Sequence, residues 1–214
     1  MDFGAGRGRI YKQLKSDSEF INNINYCALE PEEKYHSELQ KLDVTNIYTK
    51  HTKLPEDKFD FVLLCNVLHE VHLGIWKETL NAIIKSLKSD GYLIIIEPKV
   101  LNKGEKIDEI GYLLLGLEEL KQLFNLNSLP IDIKITGKED INIMCAVIEK
   151  TKLCTISDYY IKNALKALEN RTFQEIEEIK KQNYDAEKRY AIGRKTAFLA
   201  QQHINAKIAQ NHIR

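Results

Sequence analysis

Three glycines at alternate positions near the start of the chain carry its clearest chemical signal. Gly4, Gly6 and Gly8 follow Asp2 in a segment that predicts the end of a strand, a turn, and a helix over residues 10–15. Glycine has no Cβ, so the backbone of such a turn can approach a ligand closely. The first turn of the helix adds amides that have no partner within the helix. The segment therefore predicts a ligand-binding turn.

The glycine spacing distinguishes this turn from two other ligand-binding loops. A NAD-binding fingerprint has the order Gly-x-Gly-x-x-Gly, but here the third glycine comes one residue early and Arg9 occupies its place. A Walker A loop is excluded, because no Gly-Lys-Ser/Thr sequence follows the glycines. The pattern that remains is Asp-x-Gly-x-Gly-x-Gly.

Strand and helix patterns alternate from this turn to about residue 150. Such alternation is typical of a doubly wound α/β sheet. Two further strands, at residues 131–135 and 143–148, flank a polar turn at residues 137–140 and predict a closing hairpin. The other strands are predicted at residues 26–29, 47–49, 59–65 and 92–96, and helices at 32–42, 76–87 and 117–126.

The glycine pattern and this element order resemble the class I S-adenosylmethionine-dependent methyltransferases over residues 1–150. The resemblance implies a Rossmann-like α/β fold, with a mostly parallel seven-stranded sheet and one antiparallel strand. It also implies S-adenosylmethionine as the cofactor, with a binding loop that contains Asp2, Gly4, Gly6 and Gly8. Glu30 ends the next strand, where an acid can accept both hydroxyls of an adenosine ribose.

Polar residues also follow the fourth and fifth strands. Asn66 comes directly after the strand at residues 59–65 and should face the cofactor, and the resemblance implies that it helps hold the methionine part. Residues 67–70 are similar to the segment of plant-type small-molecule O-methyltransferases in which a His-Asp pair supplies the general base. The resemblance therefore implies that His69 takes the proton of the acceptor, with Glu97 as a flanking acid.

Structural interpretations of the same residues stay open. Related Leu-His-Glu motifs occur in methyltransferases with other substrates, where the histidine caps a helix or lines the pocket. Glu97 can instead fix a loop or the turn at Pro98, and we interpret Trp76 as a packing residue. A base is needed only for a protonated acceptor, because positioning alone supplies on the order of 7–11 kcal/mol of a transfer barrier.

Two features depart from the family pattern. The acid that often meets the adenine after the third strand is absent from the stretch Thr49-Lys50-His51-Thr52. The strand before the glycine turn has only three residues, so we interpret the chain as truncated within its first strand. This would leave parts of the second and fourth strands without partners, unless another chain completes the sheet.

Strand patterns stop after residue 150, which predicts a methyltransferase domain at 1–150 and a helical C-terminal extension at 151–214. Ser157 and Asp158 can cap a helix that runs to about Glu169. The spacing of Thr172 and Glu175 is that of a capping box and predicts a second helix start, with a break near residue 183.

The charge balance also changes at residue 150, from an excess of five acidic residues before it to an excess of five basic residues after it. Lys188-Arg189 and Arg194-Lys195 lie beside Phe198 and Leu199 in a basic amphipathic pattern. The pattern fits an acidic partner, a nucleic-acid surface, or a docking helix with a solvated basic face. We favour the docking helix.

Composition predicts a cytoplasmic globular protein without disulfides or a metal. The formal net charge is zero and 43% of the residues are hydrophobic. The four cysteines are scattered, and no pair has metal-ligand or thioredoxin-like spacing. The sequence has no signal-peptide pattern, and its apolar runs are too short to span a bilayer.

We therefore predict an enzyme that transfers a methyl group from S-adenosylmethionine to a small-molecule oxygen or nitrogen. Two alternatives stay open: a non-catalytic methyltransferase-like scaffold, suggested by the short first strand and the basic tail, and an RNA methyltransferase with the same cofactor site. The lack of an Asn-Pro-Pro-Tyr-type motif after the fourth strand disfavours base methylation. The predicted partners are a small-molecule acceptor and a protein that binds the helical tail, without nucleic acid or membrane.

Overall fold

The computed structural model describes residues 1–100, 112–132 and 143–213. Its strands form one mixed sheet of seven strands. They are β1 (Asp2–Phe3), β2 (Ala28–Leu29), β3 (Ile47–Tyr48), β4 (Phe59–Cys65), β5 (Leu87–Pro98), β6 (Ile131–Asp132) and β7 (Ile143–Glu149). Their order across the sheet is β3-β2-β1-β4-β5-β7-β6.

Strand directions confirm the predicted fold class. The pairs β1–β2, β1–β4, β2–β3 and β4–β5 are parallel, whereas β7 runs antiparallel to both β5 and β6. The sheet is therefore mostly parallel, with one antiparallel strand. The predicted hairpin turn at residues 137–140, and the end of the strand predicted at residues 131–135, lie outside the described residues.

The short strand β1 joins the two halves of the sheet. Phe3 is in register with Leu29 of β2 on one side and with Leu64 of β4 on the other. The three strands run in the same direction and end at almost the same level, so the residues that follow them come to one edge of the sheet. Ligands of open α/β sheets bind at this edge.

β4 has the predicted bounds, whereas β5 is longer than predicted. Phe59 is in register with Leu87 but Phe61 with Tyr92, so residues 88–91 form a bulge within β5. The Asp90-Gly91 turn predicted from the sequence is part of this bulge. A Cβ on Gly91 would lie 2.9 Å from the carbonyl oxygen of Phe59, and this close approach of two backbones requires glycine.

Helices cover the sheet and form the C-terminal tail. None of the described helices is long and apolar enough to cross a membrane. The helices are α1 (Arg9–Lys15), α2 (Ser18–Asn22), α3 (Glu33–Lys41), α4 (Trp76–Ser86), α5 (Leu117–Leu123), α6 (Asp158–Lys180) and α7 (Ala186–His212).

The capping box predicted at Thr172 is wrong. The hydroxyl of Ser157 does cap the start of α6, because it accepts a hydrogen bond from the amide of Tyr160 at 3.4 Å. The helix then continues without a break through Thr172, whose hydroxyl donates to the carbonyl of Leu168 at 2.8 Å. Thr172 is buried, so it packs as an interior residue and does not start a helix. The predicted break near residue 183 lies between α6 and α7.

The tail shares the hydrophobic core of the sheet. Leu165 and Leu168 of α6 and Ala206 of α7 are fully buried and belong to the same cluster as Val62 and Leu93 of the central strands. The exposed basic side chains of α7 lie apart from these packing residues. They are Lys188, Arg189, Arg194 and Lys195.

Candidate functional site

The glycine turn after β1 is held in a conformation that other residues rarely adopt. Gly4 and Gly6 have φ angles of +73° and +52°, in the left-handed region. A Cβ on Gly4 would lie 2.7 Å from Cγ2 of Val67, at the end of β4. A Cβ on Gly6 would meet nothing within 4 Å. Gly4 is therefore packed against the protein, whereas Gly6 borders open space. Gly8, also with positive φ, comes directly before α1 and packs against Leu42.

Glu30 is bound directly to this turn. Its Oε2 accepts a hydrogen bond from the amide of Gly6 at 2.6 Å, and its Oε1 accepts one from the amide of Glu32 at 2.8 Å. An ionised carboxylate has about four lone-pair directions, so further donors can still be accepted. The structure thus brings together the glycine turn and the acid at the end of β2, two features that lie 24 residues apart in the chain.

Asp2 lies in the strand that leads into the turn and binds Tyr26. The hydroxyl of Tyr26 donates to the Asp2 carboxylate, which is only 4% exposed. Burial raises the pKa of Asp2, and the hydrogen bond from Tyr26 opposes that rise. Tyr26 was not selected from the sequence, because nothing in its neighbouring residues indicates that its hydroxyl binds a carboxylate in a different strand.

Asn66 follows β4 with a φ of +57°, unusual for a residue other than glycine. Its backbone amide donates a hydrogen bond to the carbonyl of Ile96 at 2.8 Å, and this bond fixes the end of β4 against β5. The side chain is exposed and precedes Val67, the residue that packs on Gly4. Asn66 and the glycine turn therefore border the same edge of the sheet.

His69 and Glu97 meet in the interior behind this edge. Nδ1 of His69 contacts Oε2 of Glu97, and the two side chains are 1% and 2% exposed. Oε1 of Glu97 accepts hydrogen bonds from the amides of Val67 and Leu68, at 3.0 and 2.9 Å. Glu97 thus orients the imidazole and fixes the backbone after β4. The ring of Tyr112 stands edge-on to His69, with centroids 5.6 Å apart.

A cavity of about 620 Å³ opens beyond Glu97, at the ends of β5 and β7. Its walls include Pro98 at the end of β5, Lys99 after it, Met144 of β7 and Phe198 of α7. The segment from Leu114 to Glu119 forms another wall. Small-molecule sites have volumes of roughly 300–1,000 Å³, so the cavity can hold an organic molecule of modest size.

Two further features are relevant to ligand binding: groups of metal-binding side chains and the residues that follow β3. Across residues 1–100, 112–132 and 143–213, no three histidine, cysteine or acidic side chains come together to hold a metal ion. The stretch after β3 forms a single turn of 3₁₀ helix at His51–Lys53. Nε2 of His51 is buried there without a hydrogen-bond partner among the described residues.

Comparison with known proteins identifies similar sequences and folds. The family model described as "Methyltransferase domain" matches residues 1–130. No curated protein is significantly similar in sequence. Phosphoethanolamine N-methyltransferase 1 from Haemonchus contortus, solved with phosphoethanolamine and S-adenosylhomocysteine, superposes with a TM-score of 0.59 at 13% identity, over 86% of this chain and 46% of that one.

A second solved structure is similar over a larger share of its own length. It is the 1,6-didemethyltoxoflavin-N1-methyltransferase from Burkholderia thailandensis, bound to 1,6-didemethyltoxoflavin and S-adenosylhomocysteine. The TM-score is 0.51 at 20% identity, and the match covers 70% of this chain and 69% of that one. At these identities the two similarities establish the fold.

Proposed function

Because this chain belongs to the methyltransferase-domain family, we propose that it transfers a methyl group from S-adenosylmethionine to a small-molecule oxygen or nitrogen. The observation that carries the proposal is the contact between Glu30 and the amide of Gly6, beside open space at Gly6. An acid and a glycine turn at the ends of adjacent parallel strands can hold a nucleoside between them.

The described residues fit the cofactor. Gly6 leaves room for the cofactor, and Glu30 has lone pairs that can accept hydrogen bonds from the ribose hydroxyls. The exposed side-chain amide of Asn66 can both donate hydrogen bonds to the amino-acid part and accept them from it. Asp2, in the strand that leads into the turn, is held by the hydroxyl of Tyr26. When bound, the cofactor supplies a methyl group on a positively charged sulfur, which is already activated for transfer.

The cavity beyond Glu97 supports a small-molecule acceptor. Its walls are partly apolar, and it carries Lys99 and Glu118 at its margin. Lining of this kind suits an organic molecule that presents a hydroxyl or an amine. In the proposal the protein holds this acceptor in line with the methyl group, and positioning supplies most of the rate enhancement.

His69 is the candidate base for a hydroxyl acceptor. Contact of Nδ1 with Glu97 orients the ring and makes Nε2 the nitrogen that would take the proton. The ring is almost fully buried, and the ring of Tyr112 lies edge-on beside it. For an amine acceptor that is already neutral, His69 and Glu97 would only fix the turn after β4.

Calorimetric titration with S-adenosylhomocysteine tests the cofactor site. We expect micromolar binding by the chain and none by Gly6→Val, whose side chain would occupy the open space and whose backbone would be strained. Gly193→Val is the matched control, because Gly193 also has open space around it but lies in α7 without a positive φ. A folded chain that does not bind S-adenosylhomocysteine would contradict the proposal.

A methyl-transfer screen tests the acceptor. Labelled S-adenosylmethionine is offered with small hydroxyl compounds, small amines and RNA, and His69→Gln is assayed beside the unchanged chain. A rate loss of about 10²–10⁴-fold in His69→Gln with a hydroxyl acceptor is the size expected of a general base. A loss of similar size in Glu97→Gln with unchanged folding would support its orienting role. Labelling of RNA alone would contradict the small-molecule acceptor.

A further inference from the structure

Helix α7 buries two side-chain amides where an apolar contact would have been sufficient for docking. Gln202 is 2% exposed and Asn205 is 4% exposed. They lie among small and apolar residues of the same helix face, such as Leu199 and Ala206. A buried amide destabilises a protein unless its hydrogen bonds are satisfied. The partners of these two amides are therefore informative.

Both amides bind the backbone that enters α5. Nε2 of Gln202 donates to the carbonyl of Tyr112 at 2.8 Å, while its Oε1 accepts from the amide of Leu114 at 2.8 Å. Nδ2 of Asn205 donates to the same Tyr112 carbonyl at 3.0 Å. Together, Gln202 and Asn205 form an amide clamp that binds the carbonyl of Tyr112 and the amide of Leu114.

The clamped segment reaches the candidate site at Tyr112. The ring of Tyr112 packs edge-on against His69, whose imidazole contacts Glu97. Leu114, the last residue of the clamped segment, and the residues that follow it to Glu119 form a wall of the cavity beyond Glu97. A shift of this short segment would change both the surroundings of His69 and the shape of the cavity.

We propose that Gln202 and Asn205 are positioning residues of the methyl-transfer site, because they fix the segment that covers His69 and borders the cavity. The inference depends on the proposed function, which makes His69 and the cavity part of that site. The tail then contributes to the geometry of the site as well as to the core. Its contribution is specific, since the two amides match the amide of Leu114 and the carbonyl of Tyr112 at 2.8–3.0 Å.

Two variants separate positioning from stability. Gln202→Met keeps the length of the side chain but removes the hydrogen bonds to Tyr112 and Leu114. Leu168→Ala is the matched control, because it opens a cavity in the same tail core while every hydrogen bond of the clamp is kept. Hydrogen exchange at the Leu114 amide is measured against amides of β4. The imidazole resonances of His69 are recorded by NMR and assigned by their loss in His69→Gln.

We expect the Leu114 amide in Gln202→Met to exchange roughly tenfold faster relative to β4, the order of one lost hydrogen bond. We expect the His69 resonances to shift in the same variant. Leu168→Ala should lower the unfolding midpoint without moving either signal. Gln202→Glu and Asn205→Asp are the reserve if Gln202→Met does not fold, since each keeps its shape but loses a donor to Tyr112.

The inference is overturned if the His69 resonances stay fixed in the folded clamp variants, or if Leu168→Ala moves them equally. Neither NMR readout needs bound cofactor, so a failure of the proposed function remains distinguishable. That failure would appear as no binding of S-adenosylhomocysteine by the unchanged chain. Clamp variants should bind S-adenosylhomocysteine within about twofold of the unchanged chain, because the clamp binds residues 112–114, whereas the glycine turn binds Leu29 and Glu30.

Discussion

A glycine can be required for its conformation or for the space beside it, and the turn after β1 contains both cases. Gly4 and Gly6 share positive φ angles, but only Gly4 has a neighbour where a side chain would begin. The sequence pattern treats the two glycines alike. The structure separates them, and it assigns the open position to Gly6, next to Glu30.

This difference predicts unequal losses of stability. Gly6→Ala should lower the free energy of unfolding by about 1–2 kcal/mol, the cost of a left-handed residue with a Cβ. Gly4→Ala should lower it further, because the new Cβ must also displace Val67. Urea unfolding measures both variants. Gly193→Ala, in the interior of α7, should instead raise stability by up to about 1 kcal/mol. Equal losses for Gly4→Ala and Gly6→Ala would contradict the assignment.

The buried carboxyl of Asp2 predicts a pH dependence of stability. Its pKa is raised in the folded chain, mainly by burial, from an ordinary value of 3.8. As the pH rises above that value, the unfolded chain loses this proton first, so the group lowers stability with increasing pH until the folded carboxyl ionises too. This decrease of stability with increasing pH should be absent from Asp2→Asn, which has no carboxyl at this position. We therefore expect the unfolding free energy of Asp2→Asn, relative to the unchanged chain, to increase from pH 4 to pH 7.

Urea unfolding across this pH range measures the difference, with Asp60→Asn as the opposite control. The pKa of Asp60 is lowered by its hydrogen bond to Lys88, so its small contribution to stability is lost as the pH falls. Parallel curves for Asp2→Asn and the unchanged chain would show that burial does not control the titration of Asp2.

At the scale of the elements, the joints between helices and strands depend on contacts distant in the sequence. The last turn of α4 leads directly into β5, and carbonyls at this joint have no donor within the helix. Lys150, after β7, extends its ammonium to the carbonyl of Ile84 and, at 3.4 Å, to that of Leu87. Burial lowers the pKa of Lys150. A lysine that directly follows β7 thus caps the helix.

Lys150→Met should destabilise the chain by about 1–3 kcal/mol, because it leaves carbonyls at a partly buried joint without a donor. Lys152→Met is the matched control, two residues later. Lys152 pairs with Glu149 at 3.1 Å on the surface, where an ion pair contributes about 0–1 kcal/mol. Thermal and urea unfolding compare the two variants. If they lose the same amount of stability, the cap does not contribute.

For the whole molecule, the boundary predicted at residue 150 separates element types within a shared core. The tail places Leu165 and Leu168 in the same cluster as the strands, and its clamp binds the segment before α5. Arg171 of α6 also forms an ion pair with Glu119 of α5, and the side chain of Glu119 is 1% exposed. Helices attached in this way complete the fold of the preceding residues.

Residues 1–150 expressed alone should therefore lack a cooperative unfolding transition. Removal of the tail exposes the apolar face of α5, which favours unfolding, and breaks the ion pair between Glu119 and Arg171. Circular dichroism and binding of a hydrophobic dye measure the effect. Addition of a peptide of residues 151–214 should restore the transition. A cooperative transition for residues 1–150 alone would mean that the core of the sheet is sufficient.

The sequence by itself determined the fold class, the glycine turn and the bounds of β4, because each depends on local spacing. Apolar runs, glycine positions and strand–helix alternation are patterns of residues that are close in the chain, so they can be recognised without knowledge of the tertiary contacts. Glu30 and Asn66 could be selected for the same reason, since each ends a recognisable strand.

Only the tertiary structure shows contacts between residues that no local pattern connects. Gln202 and Tyr112 are 90 residues apart, and nothing in the sequence paired them. His69 and Glu97 are 28 residues apart, and only the family resemblance placed them side by side. Thr172 has the spacing of a capping box, but packing around it kept α6 continuous. The buried face of α7 consists partly of amides and alanines, and such a face resembles a solvated one until its partners are known. Burial and pairing are properties of the folded chain, and they turned these ordinary residues into contacts of the site.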